Sequence, residues 1–245
     1  MIKEFSNTYF LSAAECNPQG EMPMQLLMER IIEIATLHAN SWGVGYARLI
    51  EDNQVWVLSR VTTEMTQYPK VNESYTLVTW IEDYNRFYSQ RNMEILNHEG
   101  KTIGYARTIW MVINFTTRES MDISKLSYIS ENVTPHPCPI APQGRLRTVS
   151  APTRVSEHKF LYTECDFNRH VNTTRYLELL MNQFPLDFHD NNLVHRLEMA
   201  FIKETTFGET VNVNIDESEP LDCFISIDNG NVSHCRARIT FASRG

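Results

Sequence analysis

The chain is short of the features that mark several common protein classes. Its five cysteines (16, 138, 165, 223 and 235) are odd in number and include no CxxC pair. A disulfide framework is therefore not expected, and a reducing cytoplasm fits best. With neither CxxC nor HExxH present, the usual zinc signatures are missing too. No stretch approaches the ~20 consecutive apolar residues that span a bilayer. The opening MIKEFSNTYFLSAAECN has no long apolar core of a secretory leader and does not resemble a transit segment, so a bacterial cytoplasmic protein is expected. Positive charge is scarce: 22 Lys and Arg against 30 Asp and Glu give a net charge of -8. That balance argues against nucleic acid or an anionic membrane as a partner. What is present is ordinary globular composition, 42% hydrophobic and 21% charged over 245 residues, enough for one large domain or two average ones.

From Met24 to His38, apolar residues fall at Met24, Leu27, Met28, Ile31, Ile34 and Ala35, the spacing of one helix face. Leu26, Ile32 and Leu37 widen that stripe until little polar surface remains, so the helix is expected to be buried on most sides. Gly43 and Gly45 end it. Runs rich in β-branched and aromatic residues follow at 55–65 and 73–84, and two more flank NHEGK, which reads as a hairpin connection. Residues 131–155 hold five of the ten prolines and no period, which marks a linker between units 1–130 and 156–245.

The second half repeats the plan. HVNTTRYLELLMNQF is expected to be a helix closed by Pro185, with Tyr176, Leu177, Leu180, Met181 and Phe184 on one side. Strand-like segments follow, with Asn229-Gly230 as a type I′ turn. Matched order and spacing favour an old internal duplication. A long buried helix followed by an antiparallel sheet suggests a sheet curled around that helix. The expected fold class is α+β, a tandem (double) hotdog, in which each unit wraps a long helix in an antiparallel β-sheet.

Chemistry concentrates in TECDFNRHVNTTRYLELLMN, residues 163–182. In an extended segment, side chains two apart share a face, so Asp166, Asn168 and His170 would converge, together with Glu164. Asn172 would cap the helix that follows, and amides near Val171–Asn172 could hold a developing oxyanion. An EF-hand is excluded, because Val171 stands where the loop needs glycine and Leu177 where it needs glutamate. Spacing alone leaves open a plainer reading, in which Asp and Asn serve only turns and caps.

DFNRHVNTTRYLE resembles the Asp-x-Asn-x-His-Val-Asn-Asn-x-x-Tyr signature of the acyl-acyl carrier protein thioesterases, a family of plant plastids with bacterial relatives. The likeness extends over most of residues 5–242, including QVWVLSRVTTEMTQYPKVNESYTLVTWIE, NRFYSQRNMEILNHEGKTIGYARTIWMVINFTTRE and LEMAFIKETTFGETV. The resemblance implies hydrolysis of fatty acyl-carrier thioesters, ending chain elongation, with no cofactor and no metal. It assigns catalytic roles to Asp166, Asn168, His170 and, in IKET, Glu204. The Cys that follows this Glu in the family is Thr205 here, so a carboxylate-and-water mechanism is expected in place of a thiol nucleophile. Glu204 is favoured over Asp166 as the base, with direct carboxylate attack, giving an anhydride, as the covalent variant. Cys165, on the opposite alternation face from Asp166, does not substitute for it.

In the family the first unit shapes the acyl slot, which makes Met28, Ile32, Trp42 and Trp56 candidate substrate contacts. The implied partner is acyl carrier protein bearing a phosphopantetheine-linked acyl chain. That carrier is acidic, so docking needs local positive charge, for which Arg145, Arg147, Arg154 and Lys159 are candidates. The assembly is expected to be a monomeric pseudo-dimer or a homodimer. Two other readings keep the fold: an acyl-CoA thioesterase, and a non-catalytic acyl- or carrier-binding module. A dehydratase matches the Asp-x-Asn-x-His and Glu204 set less well.

Overall fold

Met24–Ser41 forms helix α1, which buries Leu27, Ile31 and Ile34 completely. It ends as the glycine at 43 predicts. Gly43 takes the left-handed conformation (φ 74°), and the Val44 amide donates to the Ala39 carbonyl at 3.1 Å, a Schellman closure. The buried stripe is narrower than the apolar pattern suggests, since Ile32 is only partly covered and Leu37 is exposed. Burial follows the sheet-facing side of the helix, and residues outside that arc stay wet whatever their hydropathy.

The computed structural model describes residues 3–124 and 126–244. The chain forms two compact units, Met1–Pro142 and Gln143–Gly245. In the first unit, strands β1 (Glu4–Phe10), β2 (Gln54–Met65), β3 (Ser74–Tyr84), β4 (Ser89–Leu96) and β5 (Thr102–Asn114) pair antiparallel in the order β1-β3-β4-β5-β2. Short helices α2 (Tyr46–Glu51) and α3 (Ser127–Ser130) complete it. NHEGK is the β4–β5 connection, with Gly100 at φ 76°.

In the second unit, β6 (Arg154–Lys159) precedes helix α4 (Thr173–Met181) and α5 (Leu186–Asn191). Strands β7 (Asn192–Phe201), β8 (Thr210–Glu219), β9 (Asp222–Asp228) and β10 (Ser233–Ser243) follow, in the order β6-β8-β9-β10-β7. Matching β1 with β6, and each later strand in turn, makes the two strand orders identical. This is the topology an internal duplication leaves.

Several local expectations change. The second helix covers only 173–181 of the expected 170–184, because Asn172 caps its start and Asn182 ends it before Pro185. At Asn229-Gly230 only the glycine has positive φ, so the turn is not type I′. The Asn229 side chain instead accepts the Asn231 and Val232 amides in a longer loop. The first part of the proline-rich segment is packed: Cys138 and Ile140 bury against Trp80, whose indole donates to the His136 carbonyl. Its last two residues, 154 and 155, already belong to β6. The edge strands β1 and β6 escape sequence reading because they lack a clean apolar-in, polar-out alternation: Phe10 and Val155 lie on the exposed face, and Asn7, Ser156 and His158 on the covered one.

Leu27→Ala should destabilise the protein by about 2–5 kcal/mol, through lost burial and the cavity left behind. Chemical denaturation would report this as a lower midpoint at unchanged m-value.

Candidate active site

The motif is a turn rather than a strand. Tyr162–Glu164 form a short 3-10 turn, Cys165 pairs with Val171, and the chain between them reverses direction. Asp166 organises the reversal. Its amide donates to the His170 carbonyl at 2.7 Å, its carbonyl accepts the Arg169 amide at 3.0 Å, and its Oδ1 accepts the Asn168 and His170 amides at 2.8 and 3.1 Å. Arg169 takes a left-handed φ of 67° to close it. Glu164 does not join the trio: its carboxylate reaches back to His158 Nε2 at 2.7 Å and to the Leu161 amide. Alternation fails here because an Asx turn, in which a side-chain oxygen mimics a backbone acceptor, replaces the extended backbone.

The same turn occurs in the first unit. Asn17 donates to the Glu21 carbonyl, accepts the Gly20 amide, and receives the Gln19 and Glu21 amides on its Oδ1. Gly20, at φ 72°, stands where Arg169 stands, and Glu21 where His170 stands. Glu15-Cys16-Asn17 and Glu164-Cys165-Asp166 are the sequence trace of this repeat. In each turn the next amide is latched to a later connection, Met22 to the Pro69 carbonyl at 2.9 Å and Val171 to the Thr205 carbonyl at 2.8 Å. Matched bridges join Glu21 to Lys70 and His170 to Thr206. Tyr68 therefore corresponds to Glu204. Both units build the turn and the latch. Where the first has Asn17, Gln19, Glu21 and Tyr68, the second has Asp166, Asn168, His170 and Glu204, so the imidazole and the carboxylate facing it belong to the second unit.

The latch brings Glu204 to the motif. Glu204 lies just beyond the end of β7, on the irregular connection 202–209 rather than in the strand. Its Oε1 is 3.4 Å from His170 Nδ1, with side chains 42% and 26% exposed, so the pair faces solvent. Among the described residues no hydrogen bond holds the Asn168 carboxamide, whose backbone amide alone is engaged.

Asn172 caps α4 as expected, accepting the Thr174 amide at 3.0 Å and hydroxyl at 3.1 Å. The amides of Val171 and Asn172 cannot form the expected oxyanion site, because they already donate to Thr205 and Glu164 carbonyls at 2.8 Å. Thr205 is fully buried, and its hydroxyl accepts the Tyr176 hydroxyl at 2.6 Å. Sequence reasoning missed this bond, although both partners stand inside the quoted segments. Cys165 is partly buried, with its thiol directed at the Leu161 carbonyl. Cys223 and Cys235 are buried, and desolvation raises both thiols, Cys223 to about 11.

The remaining candidates divide differently. Met28 is buried and Ile32 half-buried on α1. Trp42 and Trp56 pack around a cluster of Ile81, Val112, Ile123 and Ile129. Trp42 also meets the buried His38 ring at 4.0 Å and the Arg91 guanidinium at 5.5 Å. Arg147 and Arg154 are already paired with Asp216 and Glu217 of β8, and Arg147 also lies over the Phe224 ring. The Ser218 hydroxyl and Arg147 hold the Asp216 carboxyl down at about 2. Arg145 and Lys159 are exposed, with no acid partner among the described residues.

Known proteins share this sequence pattern and this architecture. Residues 2–128 match the model of the acyl-ACP thioesterase N-terminal domain, and residues 150–243 that of the C-terminal domain. A chloroplastic palmitoyl-acyl carrier protein thioesterase of Gossypium hirsutum is 22% identical over 219 residues, covering 82% of this chain and 52% of that protein. The chain thus spans about half the length of the curated relatives it matches. The crystal structure of an acyl-ACP thioesterase from Bacteroides thetaiotaomicron is 30% identical with a TM-score of 0.92, covering 98% of both chains. The 12:0-ACP thioesterase from Umbellularia californica shares the fold at 16% identity and a TM-score of 0.88, covering 100% of this chain and 99% of that one.

Asp166→Asn gives the second turn the residue that builds the first. It should leave stability within about 0.5 kcal/mol of the parent, whereas Asp166→Ala, which loses both side-chain acceptor bonds, should cost about 1–3 kcal/mol. Paired denaturation curves would separate the two, and any activity lost by Asp166→Asn alone would report on the charge.

Proposed function

Since the chain belongs to the acyl-ACP thioesterase family, we propose that it hydrolyses the thioester of fatty acyl-acyl carrier protein and releases the free fatty acid. The observation that carries the reading is the approach of the Glu204 carboxylate to the His170 imidazole at 3.4 Å, beside an Asn168 carboxamide available for a ligand. A thioester needs an attacking oxygen, a held carbonyl and a protonated leaving group. Glu204 acts as general base and takes a proton from water as its oxygen attacks the carbonyl carbon. His170 and Asn168 orient that water and the carbonyl oxygen. Collapse of the tetrahedral species breaks the carbon–sulfur bond, and the proton passes to the departing thiolate. Asp166 keeps Asn168 and His170 in register through its Oδ1.

No thiol takes part in this scheme. Thr205 occupies the position of the family cysteine, and its buried hydroxyl is engaged by Tyr176. The acyl chain is assigned to the first unit, with Met28, Ile32, Trp42 and Trp56 as its candidate contacts. Carrier docking falls to Arg145 and Lys159, since Arg147 and Arg154 have acid partners.

Glu204→Gln should lower kcat by about 10²–10⁴-fold, the usual worth of a positioned general base, while iodoacetamide leaves the parent active. Turnover of a chain-length panel of carrier-bound acyl groups measures this, with the matching acyl-CoA thioesters alongside. A Gln variant of near-parental rate would remove Glu204 from the role, and preference for acyl-CoA at equal concentration would change the substrate class. Charge reversal at Arg145 and Lys159 should raise KM for the carrier-bound substrate several-fold at low salt and leave the acyl-CoA rate unchanged; the effect fades as salt screens the charges.

A further inference from the structure

Buried groups fix the backbone on both sides of Glu204. On the upstream side, the Ile202 and Lys203 amides donate to the His234 carbonyl at 2.8 and 3.3 Å, and His234 Nδ1 lies 3.2 Å from the Lys203 carbonyl oxygen. On the downstream side, the Thr205 carbonyl accepts the Val171 amide and the Thr205 hydroxyl accepts the Tyr176 hydroxyl at 2.6 Å. Thr205 is 0% exposed and Tyr176 4%, so water does not compete for this bond. The Tyr176 ring is seated between Phe160 and Phe201, with centroids at 5.5 and 6.0 Å. Burial raises the phenol, which therefore stays a donor.

The duplication tells which part of this arrangement the fold requires. The first unit makes the same latch from the Met22 amide to the Pro69 carbonyl. Counting from the matched bridges, Leu27 occupies the place of Tyr176 and Pro69 that of Thr205. Neither can form the hydroxyl pair. A turn, a latch and a helix thus assemble without it, and the pair exists only in the unit that carries Asn168, His170 and Glu204.

Resting on the reading of Glu204 as the base, we propose that Tyr176 and Thr205 are positioning residues: their hydroxyl–hydroxyl bond ties α4 to connection 202–209 and sets where the Glu204 carboxylate stands relative to His170. Tyr176 starts from the helix that the motif opens, and Thr205 is the residue next to Glu204, so the bond closes a ring running through His170, Val171, α4 and back to the carboxylate. Thr205 is not a second nucleophile, because its oxygen points into the protein at the phenol. Displacing a reacting group by about 1 Å can cost up to about 100-fold in rate, which is the scale expected when the ring opens.

The test compares Tyr176→Phe, Thr205→Val, their double variant and Thr205→Ser, reading kcat, KM and thermal midpoint on a carrier-bound acyl substrate. Each hydroxyl deletion is expected to lower kcat by roughly 10- to 100-fold, with KM within about twofold and the protein folded at the assay temperature. The double variant should be no slower than the slower single, since both remove one bond, and Thr205→Ser should recover most of the rate. Parental kcat in both single variants would overturn the proposal. So would a loss that follows the unfolded fraction and disappears on cooling, or losses that multiply in the double variant. Glu204→Gln run in parallel keeps the two levels apart: an active Gln variant sinks the base assignment, whereas an inactive one beside a fully active Tyr176→Phe sinks only the positioning role.

Discussion

A carboxylate and an imidazole 3.4 Å apart, Glu204 and His170, are the contact on which the proposed hydrolysis depends. Neither element could supply it alone. His170 leaves a five-residue reversal whose shape is set by one Asp166 oxygen and one left-handed residue, Arg169. Glu204 sits on a connection with no regular secondary structure, where the side chain would be free to wander. The Val171 amide closing on the Thr205 carbonyl joins the two, and the bridge between His170 and Thr206 extends the join. A base that must meet one water molecule and one carbonyl gains more from such fixed backbone than from burial. Burial would also resist the charged form that general-base work requires.

The two units share a turn, a latch and a strand order, which separates scaffold from chemistry within one molecule. Asn17 makes with an amide side chain the bonds that Asp166 makes with a carboxylate. Where the first unit has Glu21, Tyr68, Leu27 and Pro69, the second has His170, Glu204, Tyr176 and Thr205. Under the proposed mechanism, those four differences supply a structural corner with a base, an orienting ring and a tie between them.

Much of this was legible in the sequence, unevenly. The 3.6-residue period of Leu27, Ile31 and Ile34 placed α1, the β-branched runs placed β2 and β3 within a residue or so, and Asn172 identified the start of α4. The repeat was visible in element order, but its sharpest trace, Glu15-Cys16-Asn17 against Glu164-Cys165-Asp166, is too short to stand out without the turns it builds. Alternation misread residues 164–170, because an Asx turn and a strand draw on the same polar residues, and the bonds of Asp166 and the left-handed φ at Arg169 that distinguish them appear only in the folded chain. The hydroxyl pair of Tyr176 and Thr205 joins residues 29 apart in sequence, and no local pattern encodes such a bond. The proline-rich segment looked empty because packing against Trp80 needs no period.

Titration of the His170 imidazole by NMR, in the parent and in Glu204→Gln, measures the central contact without recourse to turnover. An adjacent carboxylate favours the protonated ring. The account predicts that removing the charge moves the His170 pKa downward while the other histidines hold their values. Superimposable His170 curves in the two proteins would mean that the carboxylate and the ring do not meet in solution, and would contradict it.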